Sequence, residues 1–394
     1  MRGTASDTDL RRILLYGIIS RLYFHLPILF VFLFLRNYGV FRVEALLAAY
    51  GVALTLASRA VKLLPSQLSQ RTIVAIGEAV KAVGLLIILV APPYWGALLG
   101  QVLAGIGFGL TAGRETALLR AVAPPERATV LQGNLQSYIF ASTLIGGVVG
   151  SVLFRAAQWL PFVASILAIV VATAVIATVS EPRPEATSVG QASQPRPTVG
   201  SERALWMSYY IVSRALAMAL FVGFLPYLFF AELHLPVAVF GVVLGLYSVA
   251  ALISARFAVR VGARIGARRT AGIGSILVVV AVVLFWQGSL ALSLIGITLL
   301  GVGAGGVRPL GLAGLDLQAL PAPARGRLLE RQEQIFGVLN AAALVGGGAV
   351  LANASFGALM LVFAGCYAAF VVAFAVGSWN FRRPHAQEGL ASHA

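Results

Sequence analysis

Two arginines stand at matching places in two apolar stretches: Tyr16-Gly-Ile-Ile-Ser20-Arg21 and, 193 positions later, Tyr209-Tyr-Ile-Val-Ser213-Arg214. A guanidinium carries five N–H donors in a planar fork that fits a carboxylate or phosphate, so the chemistry this pair suggests is the binding of an anion. Arg21 lies nine residues past Arg12, about 13 Å at helical rise, and Arg214 lies eleven past Arg203, about 16 Å. Charge at that depth is costly unless it faces a protein interior or a watery cavity. Its recurrence at one point in each half therefore marks a central, lined pathway.

Other charged groups extend the candidate site. His25 follows Arg21 by four residues, which places both on one face of a continuous helix. It could carry protons near neutral pH, or anchor a bend at Pro27. Arg114 and Glu115 are adjacent and point about 100° apart on a helix, so only one of them faces the centre. Glu115 is the expected proton-coupling carboxylate, with His25 as accessory. Arg308, just before Pro309, is a further cavity candidate. Glu78 and Lys81, three residues apart, are expected to neutralise each other inside the bundle. Gln132, Asn134, Gln136, Gln332, Gln334 and Asn340 suit interhelical hydrogen bonds. Asp316 is expected to meet Arg325 or Arg327 at the surface, while Glu330, Arg331 and Glu333 read as a solvated turn at the start of a span.

The elements that must hold these groups follow from composition. With 59% hydrophobic and 11% charged residues and a mean hydropathy of +0.90, the chain has more apolar surface than a soluble core could hide. It reads as an all-α integral membrane protein. A crossing needs about 20 mostly apolar residues. That template gives spans near 13–35, 43–63, 72–91, 95–119, 128–154 and 158–180, then 204–231, 236–258, 270–287, 289–312, 327–351 and 355–379. The expected organisation is a six-helix bundle over 1–180, a cytoplasmic linker over 181–203 rich in Pro, Ser, Thr and charge, a second bundle over 204–381 and a cytoplasmic tail over 382–394.

Basic residues fall mostly on one side of this layout. With a cytoplasmic N-terminus, the inside collects Arg11, Arg12, Lys62, Arg71, Arg120, Arg264, Arg268, Arg269, Arg325 and others. The outside collects Arg36, Arg42 and Arg155. Both termini are thus expected in the cytoplasm, and the net charge of +15 is accounted for without nucleic acid, since no soluble basic face exists. Arg11-Arg12 ahead of an apolar run suggests a secretory signal, but the run is long, holds Arg21 and His25 and lacks a small-residue cleavage site. Cys366 stands alone, which excludes a disulfide framework or thiolate metal site. The four histidines are scattered and no metalloprotease, phosphate-loop or nucleophile-elbow pattern occurs, so neither catalysis nor a cofactor is expected. Abundant Arg with almost no Lys suggests a GC-rich bacterium, and hence its plasma (inner) membrane.

The halves repeat beyond the opening phrase. Tyr50, Val52, Ala53 and Arg59 recur 197 positions later as Tyr247, Val249, Ala250 and Arg256. Gly105-Ile-Gly107-Phe-Gly109 recurs 196 later as Gly301-Val-Gly303-Ala-Gly305, and Gln132 and Gly146-Gly147 recur 200 later as Gln332 and Gly346-Gly347. A slowly growing offset is what a duplicated bundle with small insertions produces. Copies with an even number of spans share orientation and are related by an axis along the membrane normal.

In this six-plus-six layout, parallel repeat and basic loops after spans two and eight, the chain resembles the major facilitator superfamily over nearly its whole length. Span four adds Gly113-Arg114-Glu115 and Pro125-Glu126-Arg127 to that likeness. Two departures stand out. The loop after span two, Pro65-Ser-Gln-Leu-Ser-Gln-Arg71, keeps little of the family's signature beyond its arginine, and the loop after span eight has Ala263 in place of the acid. Span five has Gly146-Gly147-Val-Val-Gly150 without the proline of the antiporter motif. The resemblance implies two pseudo-symmetric bundles rocking about a midplane site, with spans one, four, seven and ten lining the cavity. The expected function is secondary active transport of a small organic anion by a monomer, export rather than uptake, coupled to a proton or ion gradient. Arg21, His25, Arg114, Arg214 and Arg308 are the expected substrate contacts. The competing readings are a transporter-like receptor or scaffold and a lipid translocator.

Overall fold

A computed structural model describes residues 7–61, 68–91, 93–114, 118–119, 122, 125–180, 200–315, 320 and 322–380. Over these the chain forms α1 (Asp7–Ile19), α2 (Leu29–Phe34), α3 (Val40–Ala60), α4 (Gln70–Val90), α5 (Tyr94–Thr111), α6 (Pro125–Ala156), α7 (Leu160–Ala177), α8 (Ser201–Glu232), α9 (Val237–Ile265), α10 (Ala267–Trp286), α11 (Leu290–Gly314), α12 (Ala322–Asn353) and α13 (Phe356–Asn380). No strand occurs among the described residues. Eleven helices among them are long and apolar enough to cross a membrane. The chain is a multi-pass membrane protein.

The remaining crossing is the first, and here the structure corrects the expectation of one helix over 13–35. It is two pieces, α1 and α2, joined through an unwound stretch and a 3-10 turn at Leu26–Ile28. Pro27 lacks an N–H and its ring crowds the carbonyl four residues back, so helix cannot run through Tyr23. Instead Tyr23 N–H donates to the Arg21 carbonyl at 2.9 Å and Phe24 N–H to the Leu22 carbonyl at 3.2 Å, short turns that satisfy the backbone locally. Arg21 and His25 therefore do not share a helix face.

The matching crossing, α8, stays continuous although Pro226 matches Pro27. It relaxes through two π-helical segments, Leu220–Phe224 and Leu228–Glu232. Pro27 stands six residues past Arg21, whereas Pro226 stands twelve past Arg214. Twelve helical residues cover about 18 Å and six only about 9 Å, so the shorter copy stretches by unwinding.

The glycine repeat read from sequence fixes how α5 and α11 pack. A Cβ on Gly105 or Gly109 would overlap the carbonyls of Tyr50 or Leu54 on α3, and one on Gly301 or Gly305 would overlap those of Tyr247 or Ala251 on α9. On the opposite side, Gly107 abuts Gly77 of α4 and Gly303 abuts Gly274 of α10. Each helix is thus clamped between two neighbours at backbone contact, the use of small residues that membrane packing favours.

Arginines near helix N-termini also have matching work. Arg71 donates to the Val179 carbonyl at 2.9 Å and Arg12 to the Thr178 carbonyl at 2.8 Å, at the end of α7. In the second half Arg268 donates to the Ser378 carbonyl at 3.1 Å, near the end of α13, and bonds Glu202. These cations meet orphan carbonyls at helix C-termini, where the dipole favours them.

The halves meet along α3 with α12 and α6 with α9. At the end of the bundle away from Asp7, here the far end, α2 also meets α8 through an aromatic layer: Phe30 and Phe34 each lie 6.2 Å from Tyr227, and Phe34 lies 6.4 Å from Phe230. At the terminal end no comparable contact joins α5 to α11 among the described residues.

Candidate functional site

Arg214 projects from the middle of α8. Its Nη1 donates to Glu333 Oε1 on α12 at 2.6 Å and to Tyr210 Oη at 3.1 Å, and its guanidinium stacks 3.9 Å from the Phe336 ring centroid. The Arg214 and Glu333 side chains remain 29% and 30% accessible. Glu333 also lies within electrostatic range of Arg308 on α11 and of Arg21. Arg214 thus contacts this carboxylate, and Arg308 and Arg21 act on it through space.

Glu333 is the correction that matters most for the site. Sequence placed it in a solvated turn at the start of a span beginning near 327; the apolar span does begin at Leu328, but Glu333 is paired with Arg214 of α8 instead of being free in solvent.

In the first half, Arg21 emerges where α1 unwinds. Its Nη1 donates to Tyr23 Oη at 3.2 Å, and its guanidinium lies 5.0 Å from the Phe108 centroid on α5. Tyr50 of α3 lies within electrostatic range of Arg21 and Tyr23, with its ring 6.0 Å from Phe108. Lys81 pairs with Glu78 at 2.7 Å as the spacing implied, and Tyr16 donates to Glu78 Oε1 at 2.6 Å. Lys81 Nζ also sits 5.7 Å from Phe108, so this buried network backs Arg21.

The unwound backbone has its own support. Gly146 approaches Tyr23, at 3.2 Å from an added Cβ to the Tyr23 carbonyl, and a Cβ on Gly150 would overlap the Phe24 carbonyl. The glycines of span five thus cradle the break, consistent with irregular backbone at membrane depth being tolerated where protein encloses it.

The remaining candidates are placed as follows. His25 is buried and turned to α7, its Nδ1 2.9 Å from Ser165 Oγ and its ring 5.7 Å from Phe162, so it ties the break to the sixth crossing rather than joining the arginines. Arg114 is half-buried, donates to the Leu110 carbonyl at 3.0 Å and lies within electrostatic range of Glu330. Glu115 and Asp316 lie outside the described residues. Gln332 and Asn340 are buried, and Gln334 donates to Glu330 at 3.0 Å. A groove of about 820 Å3 includes none of these side chains in its lining. It runs along α3 between α5 and α12, is lined by Ala45, Ala49, Val52, Leu56, Val102 and Val345 among others, and offers no polar chemistry.

No family model and no curated protein matches the chain. Solved structures do. A mutant form of the nucleoside transporter NupG superposes with a TM-score of 0.76 at 12% identity over 94% of this chain and 100% of that one. The POT family transporter PepTSo gives 0.73 at 12% identity over 95% and 98%. A bacterial homologue of the iron transporter ferroportin in its inward-facing state gives 0.70 at 18% identity over 94% and 98%, against 0.63 for its outward-facing state. The chain shares the fold of these solved transporters, two pseudo-symmetric helical bundles.

Proposed function

We propose that the protein is a secondary transporter that carries a small organic anion across the membrane by alternating access. The observation that carries this reading is the Arg214–Glu333 pair, with Arg308 and, from the opposite half, Arg21 within electrostatic range of the same carboxylate. With three guanidinium groups against one carboxylate, the described site keeps a net positive charge, which suits a carboxylate or similar group on the solute. The solute then competes with Glu333 for Arg214, while Arg21 binds it from the opposite half. His25 keeps the unwound segment in place through Ser165. Glu115 remains the proposed coupling carboxylate of α5's crossing.

We read the state as inward-open, a reading supported by the better fit to the inward-facing than to the outward-facing ferroportin homologue. Two of these neighbours are named for nucleoside and iron transport, which supports a small solute without choosing it. Basic residues crowd the terminal end, which we place in the cytoplasm of a bacterium. That field draws cytosolic anions toward the opening and favours export. The site is built within one chain, consistent with a monomer.

Counterflow of labelled organic anions in proteoliposomes tests the reading. Arg21→Ala and Arg214→Ala should each lower anion flux by about 100-fold, the loss of one charge-assisted contact at about 1.4 kcal/mol per tenfold. Undiminished anion flux in both variants would refute it.

A further inference from the structure

Glu44 of α3 has no accessible surface, and neither of its carboxylate oxygens meets a hydrogen-bond partner. It sits near the far end, in the seam between the halves. An added Cβ on Gly223, within the π-helical segment of α8, would lie 2.5 Å from its Oε2 and 2.8 Å from its Oε1, and one on Gly348 of α12 would lie 2.8 Å from its Cβ. Both glycines belong to the opposite half. The second half therefore forms the lid over a carboxyl group of the first.

Among the described residues no cation compensates it. The elements packed on Glu44 bring glycine from α8 and α12 and only apolar side chains from α2. The nearby charged and titratable groups are engaged elsewhere. Arg42 faces the Tyr94 ring at 5.9 Å, beside Tyr38, and Arg36 donates to the carbonyls of Ile88, Leu89 and Ala91. Tyr227 packs among Phe30, Phe34 and Phe356.

An ionised carboxylate sealed without a partner is far costlier than the neutral acid, so the closed seam holds Glu44 protonated. When the halves part at the far end, the same group meets water and can release that proton. We propose that Glu44 is a proton-binding site that links proton uptake to closure of the far end. This rests on the alternating-access reading above, and it adds a coupling carboxylate that is covered and uncovered by the motion itself. Proton binding to one state alone shifts the closed-to-open ratio by up to about tenfold per pH unit.

The test is pulsed electron-spin distance measurement on purified protein in nanodiscs, with labels at the exposed far-end positions Phe41 and Val239 and with Cys366→Ala removing the native thiol. Between about pH 8.5 and about pH 5, spanning an exposed and a sealed glutamate, the short-distance population should grow as pH falls. Glu44→Gln and, as a second neutral variant, Glu44→Met should hold the short distance at every pH, whereas Glu44→Asp should keep a pH response. A wild-type pH slope retained in either neutral variant, or no slope in the wild-type background, would overturn the proposal. The two readings fail separately. If pH moves the distances while organic anions neither bind nor move them, the transport reading falls and the proton site stands. If anions move them and pH does not, the reverse holds.

Discussion

The first crossings of the two halves begin alike and end differently. Both carry a buried tyrosine, a serine and an arginine in the same order, and both run toward a proline. In α8 the chain stays helical, bulging through π turns, and Arg214 is fastened to Glu333. In α1 and α2 the chain unwinds, and Arg21 rests among aromatic rings and a tyrosine hydroxyl. What stands behind them differs as well. Glu78 and Lys81 form a buried ion pair in the first half, whereas the matching positions in the second are Ser275 and Val278, with Ser275 bonded to Tyr367 at 3.3 Å. Duplication thus supplied one scaffold twice, and the halves then divided the work. The second is a neutralised, regular wall and the first a charged, broken one.

Breaking the buried pair probes this division most strongly. Glu78→Leu leaves the Lys81 ammonium without its partner and should cost about 3–5 kcal/mol of stability, whereas Ser275→Ala at the matching site should cost about 1 kcal/mol. Thermal unfolding in detergent reads both, and the double change Glu78→Met with Lys81→Leu should recover most of the loss. Equal costs for the two single changes would mean that the halves are not asymmetric in this way.

A smaller effect sharpens the contrast at the break. Gly150→Ala pushes a methyl into the Phe24 carbonyl and should cost about 1–3 kcal/mol, while Gly346→Ala in the matching crossing meets open space and should stay within about 0.5 kcal/mol. The same unfolding assay decides. A silent Gly150→Ala would show that α6 does not cradle the unwound segment.

Which of these features the sequence reveals depends on the range of the interaction that sets them. Crossings are set by local hydropathy, and the Gly105 and Gly301 repeats by helix contact that recurs in both copies, so both are legible. So are Arg21 and Arg214, since charge at depth needs no partner to be noticed, and the Glu78–Lys81 pair, since it lies within one helix. The break in the first crossing was not legible as such. Pro27 announces a bend, but Pro226 announces the same and yields a continuous helix, and the outcome turns on chain length between arginine and proline and on Gly146 and Gly150, far along the chain. Glu333 was hidden because its partner Arg214 lies 119 residues away along the chain. Glu44 was hidden because it becomes isolated only when Gly223 and Gly348 of the opposite half close over it.

The central claim is that arginines from both halves share one water-filled chamber. Cysteine placed at each position in turn, Arg21→Cys or Arg214→Cys with Cys366→Ala, and treated in sealed vesicles with a membrane-impermeant thiol reagent, tests it most directly. Both positions should react from the terminal-end side, and organic anions that stabilise the wild-type protein should slow both reactions. Failure of either position to react from that side, or protection of one alone by every such anion, would contradict a common chamber.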